Sequence, residues 1–168
     1  MTNLHWTKEG KTHFLRNAES NQIELTIKTG GKSTCIINGI QYTISSKGFW
    51  QPIYQIQKDG IDLLKLTHSF WGSSGTLQFD DGSIYTIKYT TGSNFKLIFR
   101  DAKEDILTFG ITTVSKKLEM TYSLGSSKVA DDKVLLLSAL GMVIFHGMCK
   151  ESMSDDDTNT LNLLLFTA

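Results

Sequence analysis

Apolar and polar residues alternate along most of the chain. Ile23, Leu25 and Ile27 share one parity, as do Leu77 and Phe79; Tyr85, Ile87 and Tyr89 oppose Ile84, Thr86 and Lys88. Further on, Phe95, Leu97 and Phe99 oppose Lys96, Ile98 and Arg100, and Leu118, Met120, Tyr122 and Leu124 oppose Glu119, Thr121 and Ser123. A period of two marks half-buried strands. Between these runs lie Gly30-Gly31, Asn38-Gly39, Asp59-Gly60, Gly72-Ser73-Ser74-Gly75, Asp81-Gly82 and Gly92. Asn-Gly and Asp-Gly suit type I′ hairpins, whose two central residues both need positive φ. From about residue 12 to about residue 125 the pattern predicts a meander of roughly nine or ten short antiparallel strands.

The alternation stops at DDKVLLLSALGMVIFHGMCKE, Asp131 to Glu151, which predicts a helix over about 131–149. From Val134 to Cys149 only Ser138 and His146 are polar, so no solvent face exists and the helix must be surrounded. A bilayer would require about 20 residues, whereas sixteen residues at 1.5 Å each reach about 24 Å. The interior of a barrel built by the preceding strands asks for less and is the favoured reading, with a membrane span as the alternative. Asp131 and Asp132 suit the first turn of such a helix and Lys150 the last. The small residues Ser138, Ala139, Gly141 and Gly147 would let strands approach closely.

An internal echo supports repeated strand units. Asn38 to Leu66 and Asp81 to Phe109 align at a spacing of about 43 residues, sharing a turn Gly, Tyr-Thr-Ile, and an Asp-apolar-Leu segment at Asp62 and Asp105. Two copies are too few for a propeller or solenoid, which leaves a sandwich or closed barrel. The whole chain, 1–168, reads as one domain. After the helix, TLNLLLFTA predicts a final strand at about 159–167 or a flap over the barrel mouth.

The β-meander units, their turns, and VADDKVLLLSALGMVIFHGMCKE near the end together resemble the tubby C-terminal-like superfamily. That group includes tubby proteins, plant LURP-one-related proteins and phospholipid scramblases. The resemblance implies a mainly β fold, an antiparallel meander closing into a roughly twelve-stranded barrel around one hydrophobic C-terminal helix. The paired basic residues with which tubby proteins hold phosphoinositide head groups have no residue-by-residue counterpart here.

Composition narrows the functional classes. Lys plus Arg and Asp plus Glu are 17 each, so no global field gathers polyanions, and a nucleic-acid partner is not expected. Cys35 and Cys149 have no metal-ligand spacing and read as two buried thiols in a reducing compartment. The N-terminal stretch lacks a basic region followed by an apolar run, so the expected address is cytoplasmic, peripheral to a membrane if lipid is the partner.

Candidate chemistry is sparse. His5, His13, His68 and His146 occur singly, and His146 reads as a neutral imidazole bonded within the apolar core. Asp80-Asp81, Asp131-Asp132 and Asp155-Asp156-Asp157 read as a turn, a helix start and a polar loop, without the spacing of a calcium loop. Residues 72–75 make neither a nucleophile elbow nor a phosphate loop. No catalytic residue, metal site or cofactor is expected. Lys88, Lys96 and Arg100 fall on adjacent strands, with Lys116 and Lys117 opening the next, and together suit an anionic lipid head group. Trp50 and Trp71 belong to the adjacent pairs Phe49-Trp50 and Phe70-Trp71, from which alternation sends one ring outward as a possible interface anchor. The expected function, resting mainly on the resemblance, is a non-enzymatic module docking on anionic membrane lipid. The alternative is an interaction domain that pairs with a protein partner or with itself.

Overall fold

In a computed structural model the described residues form twelve strands and one helix. These are β1 (His5–Glu9), β2 (Thr12–Arg16), β3 (Asn21–Thr26), β4 (Ser33–Ile37), β5 (Ile40–Lys47), β6 (Ile53–Lys58), β7 (Ile61–His68), β8 (Ser74–Phe79), β9 (Ile84–Thr90), β10 (Lys96–Arg100), β11 (Asp105–Val114), β12 (Lys117–Leu124) and α1 (Asp131–Ser152). The structure describes residues 4–28, 30–48, 52–69, 73–90, 95–114, 117–125 and 131–152. The final strand expected at 159–167 lies outside them.

Each strand pairs antiparallel with the next, giving one twelve-stranded sheet in sequence order. The sheet curls into a nearly closed barrel. Among the described residues no ladder joins β1 to β12; the Trp6 ring instead stands edge-on to Tyr122 across that seam, centroids 6.4 Å apart. The first strand begins earlier than the alternation predicts. HWTKE buries a single apolar residue, Trp6, which is too little for a period of two to register.

The helix is in the core, as its missing polar face requires. Leu137, Ala139, Leu140, Met142, Ile144 and Phe145 are at most 2% exposed and form one cluster with inward strand residues from Trp6 on β1 to Phe109 on β11. The apolar window from Asp132 to Cys149 is long enough to cross a membrane, but 67% of it is buried inside the barrel, which marks a core helix. Its small residues meet large strand residues. Phe99 and Phe109 press on Gly141, where an added Cβ would overlap the Phe109 ring. At Ser138 the Tyr122 hydroxyl lies 2.7 Å from Oγ, which itself donates to the Val134 carbonyl at 2.7 Å. Gly147 departs from expectation: a Cβ there would meet nothing within 4 Å, so this glycine leaves space instead of closing it.

The echo in the sequence is two copies of a unit that occurs three times. The copies seen are β5–β6–β7 and β9–β10–β11; the third is β1–β2–β3. In each, the second hairpin carries a bulge at the same place, after Leu15, Ile56 and Phe99. In each, the extra residue lies on the third strand (Gln22, Leu63, Ile106), and the side chain opposite the bulge is tied to the start of that strand: Arg16 Nε donates to Asn21 Oδ1 at 2.7 Å and Gln57 Nε2 to Asp62 Oδ1 at 2.6 Å, while the Arg100 guanidinium forms an ion pair with Asp105 Oδ1 at 2.6 Å. The turns of the first and third copies also match, with Asn17 and Asp101 each accepting two backbone N–H groups from the following residues. Adding β4, β8 and β12 makes three four-stranded units around one helix.

The closest helix–strand packing gives the first prediction. Gly141→Ala would gain about 1 kcal/mol of helix propensity but force the Phe109 ring out of its rotamer, so a net loss of about 1–2 kcal/mol is expected in urea denaturation. Adding Phe109→Leu should return part of that loss. Unchanged stability in the single variant would mean that the helix is not gripped at Gly141.

Candidate functional site

Because every connection joins neighbouring antiparallel strands, alternate connections fall at opposite ends of the barrel. At one end they carry Glu19, Asp59, Asp80, Asp81, Asp101 and Glu104, against Lys103. At the other end the described connections carry Lys11, Lys28 and Lys32 and no carboxylate, with Lys47 and Lys96 at adjoining strand ends. Glu9, at the end of β1 beside the β1–β2 turn, is held by Arg16 at 2.7 Å. The barrel therefore has a carboxylate rim and a lysine rim. Helix α1 enters at the carboxylate rim, where Lys133 bonds Asp81 and Ser83 of the β8–β9 turn and lies over the Phe79 ring. The hydrogen bond from Lys133, with two more from Ser83, holds the Asp81 carboxyl well below the usual carboxylate range.

The expected cationic wall is brought together in part. Tyr85, Ile87, Leu97 and Phe99 face inward, so Lys88, Lys96 and Arg100 share the outer face of β9 and β10. Lys88 stands opposite Ile98, and is diagonal to both Lys96 and Arg100. Lys96 reaches the lysine rim, but Arg100 is at the other end of its strand with its guanidinium committed to Asp105. Lys117 opens β12 opposite Val114, four residues along β11 from the Gly110 that pairs with Lys96, and so about 13 Å further along the wall. Lys116, Trp50 and Trp71 lie outside the described residues. Sequence reasoning missed Lys11, Lys28, Lys32 and Lys47, although the alternation of connections in a meander was the signal that could have found them.

The buried titratable groups are held neutral. His68, inward on β7, donates from Nδ1 to the Pro52 carbonyl at 2.8 Å; that fixes the tautomer, so Nε2 accepts from the Tyr89 hydroxyl at 2.5 Å. Burial pushes His68 down and Tyr89 up, which leaves neither charged near neutrality. Tyr54 stands edge-on to the His68 ring, so the three plug the barrel below the lysine rim. Cys35 and Cys149 are free and buried, and burial raises both thiols to about 12. Among the described residues no three His, Cys, Asp or Glu side chains are grouped to hold a metal ion.

His146 does not stand alone in the core. Its ring is edge-on to His13 on β2, centroids 5.8 Å apart. His13 is buried, and is pushed down to about 4 by that burial first, then by His146 and Lys8, against a raising bond with the Leu25 backbone. Beside His146, between α1 and strands β3 to β6, a half-open cavity of about 190 Å³ reaches the lysine rim. Lys28, Ser45, Tyr54, Val143 and Gly147 are among its walls.

No family model, no curated protein and no solved structure matches this chain.

The His13 environment gives a prediction with a definite sign. Between pH 6.5 and about 4 the unfolded chain takes up a proton that the folded one refuses, so stability falls as pH falls through that window and is level above it. The loss by pH 4 is about 3 kcal/mol. Urea midpoints at pH 7 and 4.5 would read it, and His13→Phe should reduce the slope, leaving the part due to His68, whose pKa is also lowered by burial. Equal midpoints in the wild type would contradict the burial of a neutral His13.

Proposed function

We propose that this protein is a non-enzymatic module that docks on anionic membrane surfaces by its lysine rim and the adjoining outer wall at Lys88 and Lys96. The observation that carries this reading is the segregation of charge. A chain with no net charge presents one end whose described connections hold lysines and no carboxylate, and an opposite end crowded with acids. Each lysine close to an anionic leaflet contributes about 1 kcal/mol, so five or six acting together would hold the barrel reversibly with the carboxylate rim turned to solvent. The cytoplasmic leaflet, rich in anionic lipid, is the matching surface. Buried histidines and thiols kept neutral offer no activated nucleophile, which favours binding over catalysis. We also place the chain with tubby-like barrels, on the resemblance of its turns and its helix.

A second reading, docking to a protein, rests on a different surface. Ile40, Ile61 and Ile84 open β5, β7 and β9 at the carboxylate rim and are 40%, 66% and 61% exposed. With two strand spacings, about 10 Å, between neighbours, they form an apolar strip among carboxylates that suits a partner with basic and apolar side chains.

Vesicle flotation separates the two. The protein should float with vesicles containing anionic lipid at low salt, not with neutral vesicles, and should be released at high salt, as screening shortens the reach of exposed charges to about 3 Å at 1 M. Reversing Lys28, Lys32, Lys88 and Lys96 to Glu should cut the partition coefficient by about a thousandfold or more, while Ile61→Ser with Ile84→Ser should leave it unchanged. Failure of the wild type to float with anionic vesicles at low salt ends the membrane reading and leaves the isoleucine strip.

A further inference from the structure

We propose that the cavity at the lysine rim is a binding site for a compact organic anion, with an apolar body of six or seven carbons and one carboxylate. Its volume of about 190 Å³ is somewhat above the roughly 150 Å³ that accommodates benzene in an engineered protein cavity, which sets the ligand near nine non-hydrogen atoms.

The space is built into the helix. Gly141 and Gly147 lie on the same helix, less than two turns apart; the first is packed by Phe99 and Phe109, whereas no described residue comes within 4 Å of a Cβ added at the second. Gly147 is one of the residues that line the cavity, so an ordinary side chain there would fill it. A glycine in a helix interior costs about 1 kcal/mol against alanine, and here no close packing offsets that cost.

The walls have two characters. Ile27, Ile44 and Val143 offer apolar surface to the ligand body; the hydroxyls of Ser45 and Ser46, the His146 imidazole and the Lys28 ammonium offer donors to its head. Among the described residues no carboxylate lines the cavity, and Lys32 and Lys47 stand next to its lining residues in the chain, so the described walls favour an anion over an organic cation. The negative end of the helix dipole does not oppose an anion here. Its effect is confined to the last turn, and Val143, His146 and Gly147 precede the final four residues of α1. The site shares Lys28 with the membrane surface but does not depend on that reading, because Lys88 and Lys96 on the outer wall take no part in it.

Benzoate is the probe, with benzyl alcohol as its neutral counterpart, in an amide NMR titration of the full chain. Benzoate should produce saturable shifts at Gly30, Gly31, Ser45 and Gly147 with Kd on the order of 1 mM. Benzyl alcohol should bind about tenfold more weakly, as should benzoate to Lys28→Gln, since both changes remove a charge-assisted contact. Gly147→Leu should abolish the shifts without lowering the melting temperature, and Lys88→Glu with Lys96→Glu should keep them. Absence of saturable shifts, or equal shifts in Gly147→Leu, would overturn the site; equal affinity for benzyl alcohol would overturn the anionic class.

Discussion

A helix with no polar face cannot meet water, and that one constraint organises the rest of the molecule. Val134 to Phe145 present apolar side chains in every direction, so the solution is a wall on all sides rather than a layer on one. Twelve strands in a simple meander provide it, each contributing inward residues to a single cluster. Complementarity then works residue against residue. Where the wall brings large rings, at Phe99 and Phe109, the helix has Gly141; where it brings the hydroxyl of Tyr122, the helix has Ser138, which passes the hydrogen bond to the Val134 carbonyl. Curling the sheet also deals with its two edges, since β1 and β12 face each other across the Trp6–Tyr122 contact instead of presenting a flat template to other chains.

Most of this container was legible because it is written in periodicity. Parity along β9 and β10 gave the inward set of Tyr85, Ile87, Leu97 and Phe99, and the absence of any polar stripe after Asp131 placed the helix inside. The bulges were not legible. A bulge is a mismatch between two strands, and neither strand's pattern records it alone. The Asp at 62 and 105 showed up as a shared letter, but its work, accepting from Gln57 or pairing with Arg100 across the bulge, depends on a register seen only in three dimensions. The first copy escaped notice for the same reason. It makes the contact with Arg16 and Asn21, a different pair of letters in the same geometry. Arg100 was thus grouped with Lys88 and Lys96 by parity, while the structure uses it as a clamp.

Net charge is a poor guide to a barrel of this kind. Seventeen positive and seventeen negative residues cancel in the sum, yet a meander sorts successive turns to opposite ends. Asn17 to Ser20, Asp59-Gly60, Asp80 to Ser83 and Asp101 to Glu104 all go one way, and Lys11, Lys28 and Lys32 the other. Part of the sorting has a purely structural cause. Asp and Asn accept backbone N–H groups in tight turns, as Asn17, Asp81 and Asp101 do, and acids near the start of α1 oppose the positive end of its dipole. That reasoning accounts for the carboxylate rim. It does not account for the lysines: Lys11 is in the two-residue β1–β2 turn, Lys28 and Lys32 are in a longer connection and Lys47 and Lys96 are at strand ends, and an ammonium cannot accept a backbone N–H in any of them as Asp and Asn do.

The same container limits where function can reside. Inward positions are consumed by the core, and the titratable groups among them, His13, His68, Cys35 and Cys149, are held in neutral forms by burial. What stays available is the outer wall, the two rims and, among the described residues, the cavity beside Gly147 where the core is left unfilled. That place adjoins the lysine rim, and its emptiness comes from Gly147 on a helix that elsewhere fills every side. In a structure whose stability comes from close packing about α1, a glycine that leaves space where an alanine would fit forgoes stability. The two departures from the logic of the container, unexplained lysines and an unfilled end of the core, thus fall at the same end of the barrel.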